Sequence, residues 1–183
     1  MKALLLMILA LTTESSYAQK PSVFEATDRG ELSDVRGAIT RADVNSVNEH
    51  GETALIRGIS KGYLEISELL LKNGAKINHR DKAGNTALLY AVSSNNLEAV
   101  QLLLKFNPDL QLKYGKEEES VFFEAARMGD VQILNALTQA LKKDLSLLKA
   151  KNKSGKSISQ LAKEAGHSQF AKAVEKLIKA AAE

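Results

Sequence analysis

Asn48-Glu49-His50-Gly51-Glu52-Thr53-Ala54-Leu55 and Asp81-Lys82-Ala83-Gly84-Asn85-Thr86-Ala87-Leu88 align without a gap at an offset of 33 residues. The offset holds downstream. Leu64-Glu65-Ile66 matches Leu97-Glu98-Ala99, and Leu69-Leu70-Leu71-Lys72 matches Leu102-Leu103-Leu104-Lys105. Ala75-Lys76-Ile77-Asn78 closes the earlier copy where Pro108-Asp109-Leu110-Gln111 closes the later one. A period kept across a whole unit is the mark of a stacked-repeat architecture, in which each unit completes its core with its neighbours. Looser copies flank the pair. Ser120-Val121-Phe122-Phe123-Glu124-Ala125-Ala126, then Gly129-Asp130, stands 34 residues after Thr86. Gly155-Lys156-Ser157-Ile158, then Ala165-Gly166-His167, puts Ser157 37 residues after Ser120. An N-terminal copy without an opening turn runs from Val23-Phe24-Glu25-Ala26 to Ala42-Asp43-Val44-Asn45.

The residues of one unit dictate its local structure. Thr53, Thr86, Ser120 and Ser157 each stand where a hydroxyl caps a helix N-terminus. Leu55 and Ile59, like Leu88, Ala91 and Val92, give a short first helix one apolar stripe. Gly62, Asn95, Gly129 and Gly166 stop that helix, because these residues tolerate the left-handed backbone of a sharp reversal. A second helix follows with apolar Leu64, Ile66, Leu69 and Leu70, and Gly74 and Asn107 end the second helices in the same way. Both helices are too short to be stable alone, so stacking must supply their burial.

This pattern resembles the ankyrin repeat, whose unit of about 33 residues opens with Asp-x-x-Gly-x-Thr-Pro-Leu-His. The resemblance covers nearly all of 21–179 as about five repeats, near 21–47, 48–80, 81–113, 114–151 and 152–183, in a single domain over 19–183. It implies an all-α solenoid of stacked helix-turn-helix units with short β-hairpin loops and capping repeats at both ends. The chain departs from the pattern at identifiable places. The family's Pro is Ala54, Ala87, Val121 and Ile158, and its His is Ile56, Leu89, Phe123 and Gln160. Glu118 stands at the turn-glycine position of the fourth repeat, so a non-standard hairpin is expected there. The stretch from Leu141 to Lys149 is three residues longer than expected, which predicts an extended second helix and a lengthened loop.

The chain's start reads as an address. Met1-Lys2, the apolar run Ala3 to Leu11, and the small residues Ser16 and Ala18 fit a secretory signal peptide over 1–18, cut before Gln19. The apolar run is about half of the ~20 residues that a membrane-spanning helix needs. Periplasmic or secreted localisation, without membrane insertion, is therefore expected. Cysteine is absent, which removes thiol nucleophiles and thiolate metal sites. The charge, 25 basic against 22 acidic residues, is a slight +3. Residues 142–183 nevertheless carry ten lysines against four acids. Without arginine forks or interleaved aromatics these lysines argue against nucleic acid, and Lys172, Lys176 and Lys179 describe the wet face of a capping helix.

No catalytic motif is present: neither a phosphate loop, nor a Gly-x-Ser-x-Gly elbow, nor His-Glu-x-x-His. No enzyme activity, cofactor or metal is expected. His50 and His79, near successive turn tips, read as surface residues rather than a zinc pair. His167 matches the family's Gly-His at the inter-helix turn and takes a structural role. Asp28 near Arg29, and Asp130 near Arg127, read as solvated charge pairs. Glu117-Glu118-Glu119 reads either as an acidic finger offered to a basic partner or as a solvated loop.

The resemblance also implies a binding surface, because ankyrin proteins use the turn tips and the exposed side of the first helices as a palm. The tips here are Val47, Glu49, His50, Glu52, Arg80, Lys82, Asn85, Lys113, Tyr114, Lys116 and Glu117. The helical palm positions are Arg57, Ser60, Lys61, Tyr90, Ser93, Ser94, Glu124, Arg127 and Met128. Tyr90, central along the stack, is the expected hot spot, since a large side chain with a polar end anchors interfaces. The implied function is a protein–protein interaction module, acting as a monomer outside the inner membrane. In size and plan it is similar to exported bacterial ankyrin proteins that guard against the cell's own wall-degrading enzymes, such as penicillin-binding-protein-type endopeptidases. An envelope chaperone, a scaffold for a partner enzyme, or a secreted effector that binds a host protein is the alternative.

Overall fold

The computed structural model of the chain describes residues 21–40, 42–141 and 144–181. The leader expected over 1–18 lies outside them. Ten α-helices follow in order: α1 Val23–Arg29, α2 Leu32–Ile39, α3 Ala54–Ser60, α4 Leu64–Lys72, α5 Ala87–Ser93, α6 Leu97–Leu104, α7 Val121–Met128, α8 Val131–Ala140, α9 Ile158–Glu164 and α10 Ser168–Ala180. They form five antiparallel pairs, and the pairs stack. The first helices make one layer, α1 on α3 on α5 on α7 on α9, and the second helices make the other, α2 through α10. The fold is the expected all-helical solenoid. The turns between pairs are slighter than the hairpins expected, since single antiparallel bridges (Val47 with Thr53, Tyr114 with Glu119, Lys151 with Ser157) stand in for strands among the described residues.

Capping explains why the helices start where they do. Thr53, Thr86 and Ser157 accept the amide N–H three residues on, from Ile56, Leu89 and Gln160. Ser22, at the head of α1, does the same and completes a reciprocal capping box with Glu25. Ser120 departs from expectation, because its hydroxyl caps nothing. One or two residues after each first helix the backbone turns left-handed, at a glycine (Gly30, Gly62, Gly129, Gly166) or at Asn95.

At those reversals the stack is keyed together. Tyr63 and His167, N-caps of α4 and α10, lay their rings over Gly30 and Gly129 of the preceding repeat. A Cβ on Gly129 would stand 2.2 Å from the His167 ring, so only glycine fits beneath it. His167 donates from Nε2 to the Arg127 carbonyl at 2.8 Å, which fixes its tautomer and gives it the structural role expected. Where the N-cap is a smaller residue, the reversal needs no such gap: Gly62 has nothing within 4 Å of an added Cβ.

The core runs unbroken along the interface of the two layers, from Val23 and Val35 through Leu55, Leu70, Leu88 and Leu103 to Phe122, Leu134, Phe170 and Val174. The lengthened stretch after α8 holds a 3₁₀ helix, Leu145–Lys149, rather than an open loop. It packs on α10 and buries Leu148, so the extra residues close the C-terminal end of the core.

Candidate functional site

The face formed by the first helices and the turns carries the expected site residues, and three regions differ in chemistry. Around α3, Arg57 and Lys61 converge on Asp28 at the end of α1, with Nε and Nζ at 2.9 and 3.1 Å from Oδ1. Lys61 also donates to the Asp28 carbonyl. Arg57 lies over the Phe24 ring, 5.4 Å from its centroid, and approaches Glu52, which accepts a hydrogen bond from Asn48. The hydrogen bond from Lys61, reinforced by the Arg57 charge, holds the Asp28 carboxyl below its ordinary value. Asp28 thus joins two repeats and does not pair with Arg29.

In the middle, Tyr90 is half-buried, and its hydroxyl donates to Asp81 Oδ2 at 2.7 Å. The other Asp81 oxygen accepts the N–H groups of Ala83 and Asn85, so the phenol is tied to the turn. Burial, with the Asp81 carboxylate beside it, raises the Tyr90 pKa. Ser93 and Ser94 flank it, exposed, with their hydroxyls returned to carbonyls of α5. Ser60 does the same on α3.

At α7, Arg127 takes two carboxylates, Glu124 at 3.1 Å and Glu119. Although partial burial works against the cation, these bonds raise its pKa. Glu119 also accepts from Asn152 of the fifth repeat at 2.8 Å. Asp130, the expected neighbour of Arg127, instead caps α8 by accepting from Gln132 and Ile133. Met128 is half-buried at the end of α7.

Along the tips, Glu49, His50, Arg80, Lys82, Lys113 and Lys116 are exposed, and Val47 is the exposed large hydrophobic residue among the described ones. Asn85 and Glu52 are half-buried. His79 points back and donates to the Gly51 carbonyl, while His50 stays outside. No group of three or more histidine or acidic side chains poised for a metal ion occurs among the described residues.

Two expectations need correction. Tyr114 is not a tip residue offered to a partner: it is 8% exposed and shares a hydrogen bond with the Thr86 hydroxyl. The fourth turn differs from its neighbours: Glu118 takes the left-handed glycine station with φ +54°, and Tyr114 bridges to Glu119, whereas Val47 and Lys151 bridge to the helix-capping Thr53 and Ser157. Burial raises the Tyr114 pKa, and Arg80 covers its ring at 5.2 Å. Nor is the acidic run a free finger. Glu117 accepts the Ser154 N–H and hydroxyl, Glu118 pairs with Lys153, and Glu119 is held by Arg127 and Asn152. The Ser154 hydroxyl and N–H hold Glu117 below its ordinary pKa.

The partners of Asp28 and Glu119, and the part played by Asn152, were not foreseen: Asp28 holds Arg57 and Lys61, and Glu119 holds Arg127 and Asn152. Their signal was the repeat offset itself, since Asp28 with Lys61 and Glu119 with Asn152 are each one 33-residue period apart.

A stacked array of helix pairs, with a polar face of turns and first helices, defines a repeat-built interaction scaffold. A family model for ankyrin repeats, in three copies, matches residues 23–114, and the chain belongs to the ankyrin-repeat family. That family is generally a non-catalytic module for protein–protein interaction. The match ends at Tyr114, where the fourth turn departs from the pattern. No curated protein matches the chain. No helix among the described residues is long and apolar enough to cross a membrane.

Proposed function

We propose that the chain is an exported inhibitor that binds a cell-envelope enzyme through its palm, a penicillin-binding-protein-type peptidoglycan endopeptidase being the first candidate. The observation that carries the reading is the set of palm side chains that the stack does not bury. Arg57, Lys61, Tyr90, Ser93, Ser94, Glu124 and Arg127 lie along three consecutive first helices, flanked by exposed tips at Glu49, His50, Lys82, Lys113 and Lys116. The face is polar and charged, with Tyr90 and Met128 as its larger partly apolar side chains. Such a face suits a wet, charge-guided contact with a folded protein rather than a greasy obligate one. The leader-like segment over 1–18 supports action in the envelope, where a binding module can act by occluding a partner's cleft.

The test is direct. Purified chain beginning at Gln19 is titrated into a purified endopeptidase of this type, and peptidoglycan cleavage is followed. Inhibition that saturates at one chain per enzyme, and that is weakened by Tyr90→Ala and Arg57→Glu, supports the reading. Raised enzyme activity would replace inhibition with the chaperone role, and no change in rate with no complex formed would refute the candidate partner.

A further inference from the structure

The seam between the third and fourth repeats is built differently from its neighbours. At the seam before it, the Lys82 N–H donates to the His50 carbonyl, and at the seam after it, the Lys153 N–H donates to the Glu117 carbonyl, both at 3.0 Å. Between the third and fourth repeats no such turn-to-turn backbone bond forms among the described residues. Arg80 spans the gap instead, donating to the Gly84 and Lys113 carbonyls. On the palm side of this seam lies a recess of about 200 Å³ bordered by Asn85, Leu89, Glu119, Ser120, Glu124 and Arg127.

Ser120 marks the recess as unfinished. Of the four Thr or Ser positions that head α3, α5, α7 and α9, it is the one whose hydroxyl caps no amide. Its Oγ has no hydrogen-bond partner among the described residues although the residue is 1% exposed. A buried hydroxyl left without a partner destabilises the fold, and this one stands at the wall of a recess, where a ligand atom would satisfy it. The lining carries two carboxylates and one guanidinium, and so is net negative. Arg127 is already shared by both carboxylates, whereas one oxygen of Glu124 has no partner among the described residues.

We propose that this recess receives a basic side chain, lysine or arginine, carried on a loop of the bound protein. The proposal deepens the palm reading above and rests on it. The cation donates to Ser120 Oγ and to the free Glu124 oxygen, breaks no existing pair and brings the recess to neutrality. Leu89 supplies an apolar wall for its methylene stem. An acidic side chain would meet a negative field and a guanidinium already satisfied, and an apolar one would leave the hydroxyl without a partner.

The test titrates three capped tripeptides, acetyl-Gly-Lys-Gly-amide, acetyl-Gly-Arg-Gly-amide and acetyl-Gly-Glu-Gly-amide, into the ¹⁵N-labelled chain at millimolar concentration. Saturable shifts at the Leu89, Ser120 and Arg127 amides with the basic peptides, and none with the acidic one, are expected. Ser120→Ala and Glu124→Gln should each weaken the basic peptides by about fivefold or more, while Ser120→Ala keeps or raises the melting temperature. A merely structural hydroxyl would lower the melting temperature when removed and leave peptide binding alone, and that result overturns the proposal. So do equal shifts with the acidic peptide, or shifts away from the recess. If the recess fails in this titration while Tyr90→Ala and Arg57→Glu still abolish inhibition, only the recess proposal falls. If the recess binds basic peptides but every palm substitution leaves the enzyme complex intact, the palm reading falls, and the partner side chain with it.

Discussion

Gly62 and Gly129 hold the same station after the first helices of the second and fourth repeats and share a backbone conformation, φ +75° and +77°. Alanine at either must adopt the left-handed region, which costs about 1–2 kcal/mol. At Gly62 that is the whole cost, because the new Cβ has open space around it. At Gly129 the Cβ falls 2.2 and 2.3 Å from His167 Cγ and Nδ1. The ring must move, and the bond from Nε2 to the Arg127 carbonyl goes with it, a further loss of about 0.5–1.5 kcal/mol before any packing is counted. Gly129→Ala should therefore cost about 3 kcal/mol against about 1.5 kcal/mol for Gly62→Ala. Urea unfolding followed by circular dichroism measures both. Hydrogen exchange should show the extra loss concentrated in α9 and α10, since the affected contact joins the fourth and fifth repeats. His167→Ala in the Gly129→Ala background removes the clash, so the double variant should cost less than the sum of the singles by about 1 kcal/mol. Equal costs at the two glycines, or simple additivity of the double variant, would refute the keyed-stack reasoning.

Two further outcomes follow from the corrected residues and the titrating ones. Tyr114→Phe should lower stability by about 1 kcal/mol, because it removes the buried bond to Thr86, and should leave partner binding unchanged; thermal melts and the inhibition assay read the two effects separately. Asp28 and Glu117 have folded-state pKa values below their ordinary ones, so the native chain binds fewer protons than the unfolded chain in acid. Their stabilisation is present above the ordinary carboxylate range and is lost as pH falls below about 4. Melting temperature should drop there, and the combination of Asp28→Asn with Glu117→Gln should flatten the drop.

The stack and its turns could be read from the chain because they rest on local chemistry repeated at one period. The 33-residue offset, the Thr hydroxyls at 53 and 86 and the glycines or Asn95 at the reversals all fell where expected. What escaped the reading depends on register between neighbouring units. Tyr114 turns inward because the fourth turn has Glu118 in a left-handed backbone and a shorter bridge, which puts its phenol against Thr86. Arg127 pairs with Glu119 and Glu124 rather than with Asp130 because Asp130 is drawn to the α8 amides. Glu117 looked free in a run of three acids, yet the next turn brings Ser154 to it across 37 residues. Leu148 looked like part of a loop, because nothing nearby in sequence announces that a 3₁₀ turn will lay it on α10. Of the palm, residue identities along one helix face were readable. Which of them are engaged by their neighbours was not, because those partners lie one repeat away.

Hydrogen exchange on the chain alone and in complex with the proposed endopeptidase partner locates the contact without assuming any residue. The palm reading predicts slowed exchange in α3, α5, α7 and the turns preceding them, with α4, α6 and α8 unchanged. Protection confined to those second helices, with the first-helix face exchanging as in the free chain, would contradict it.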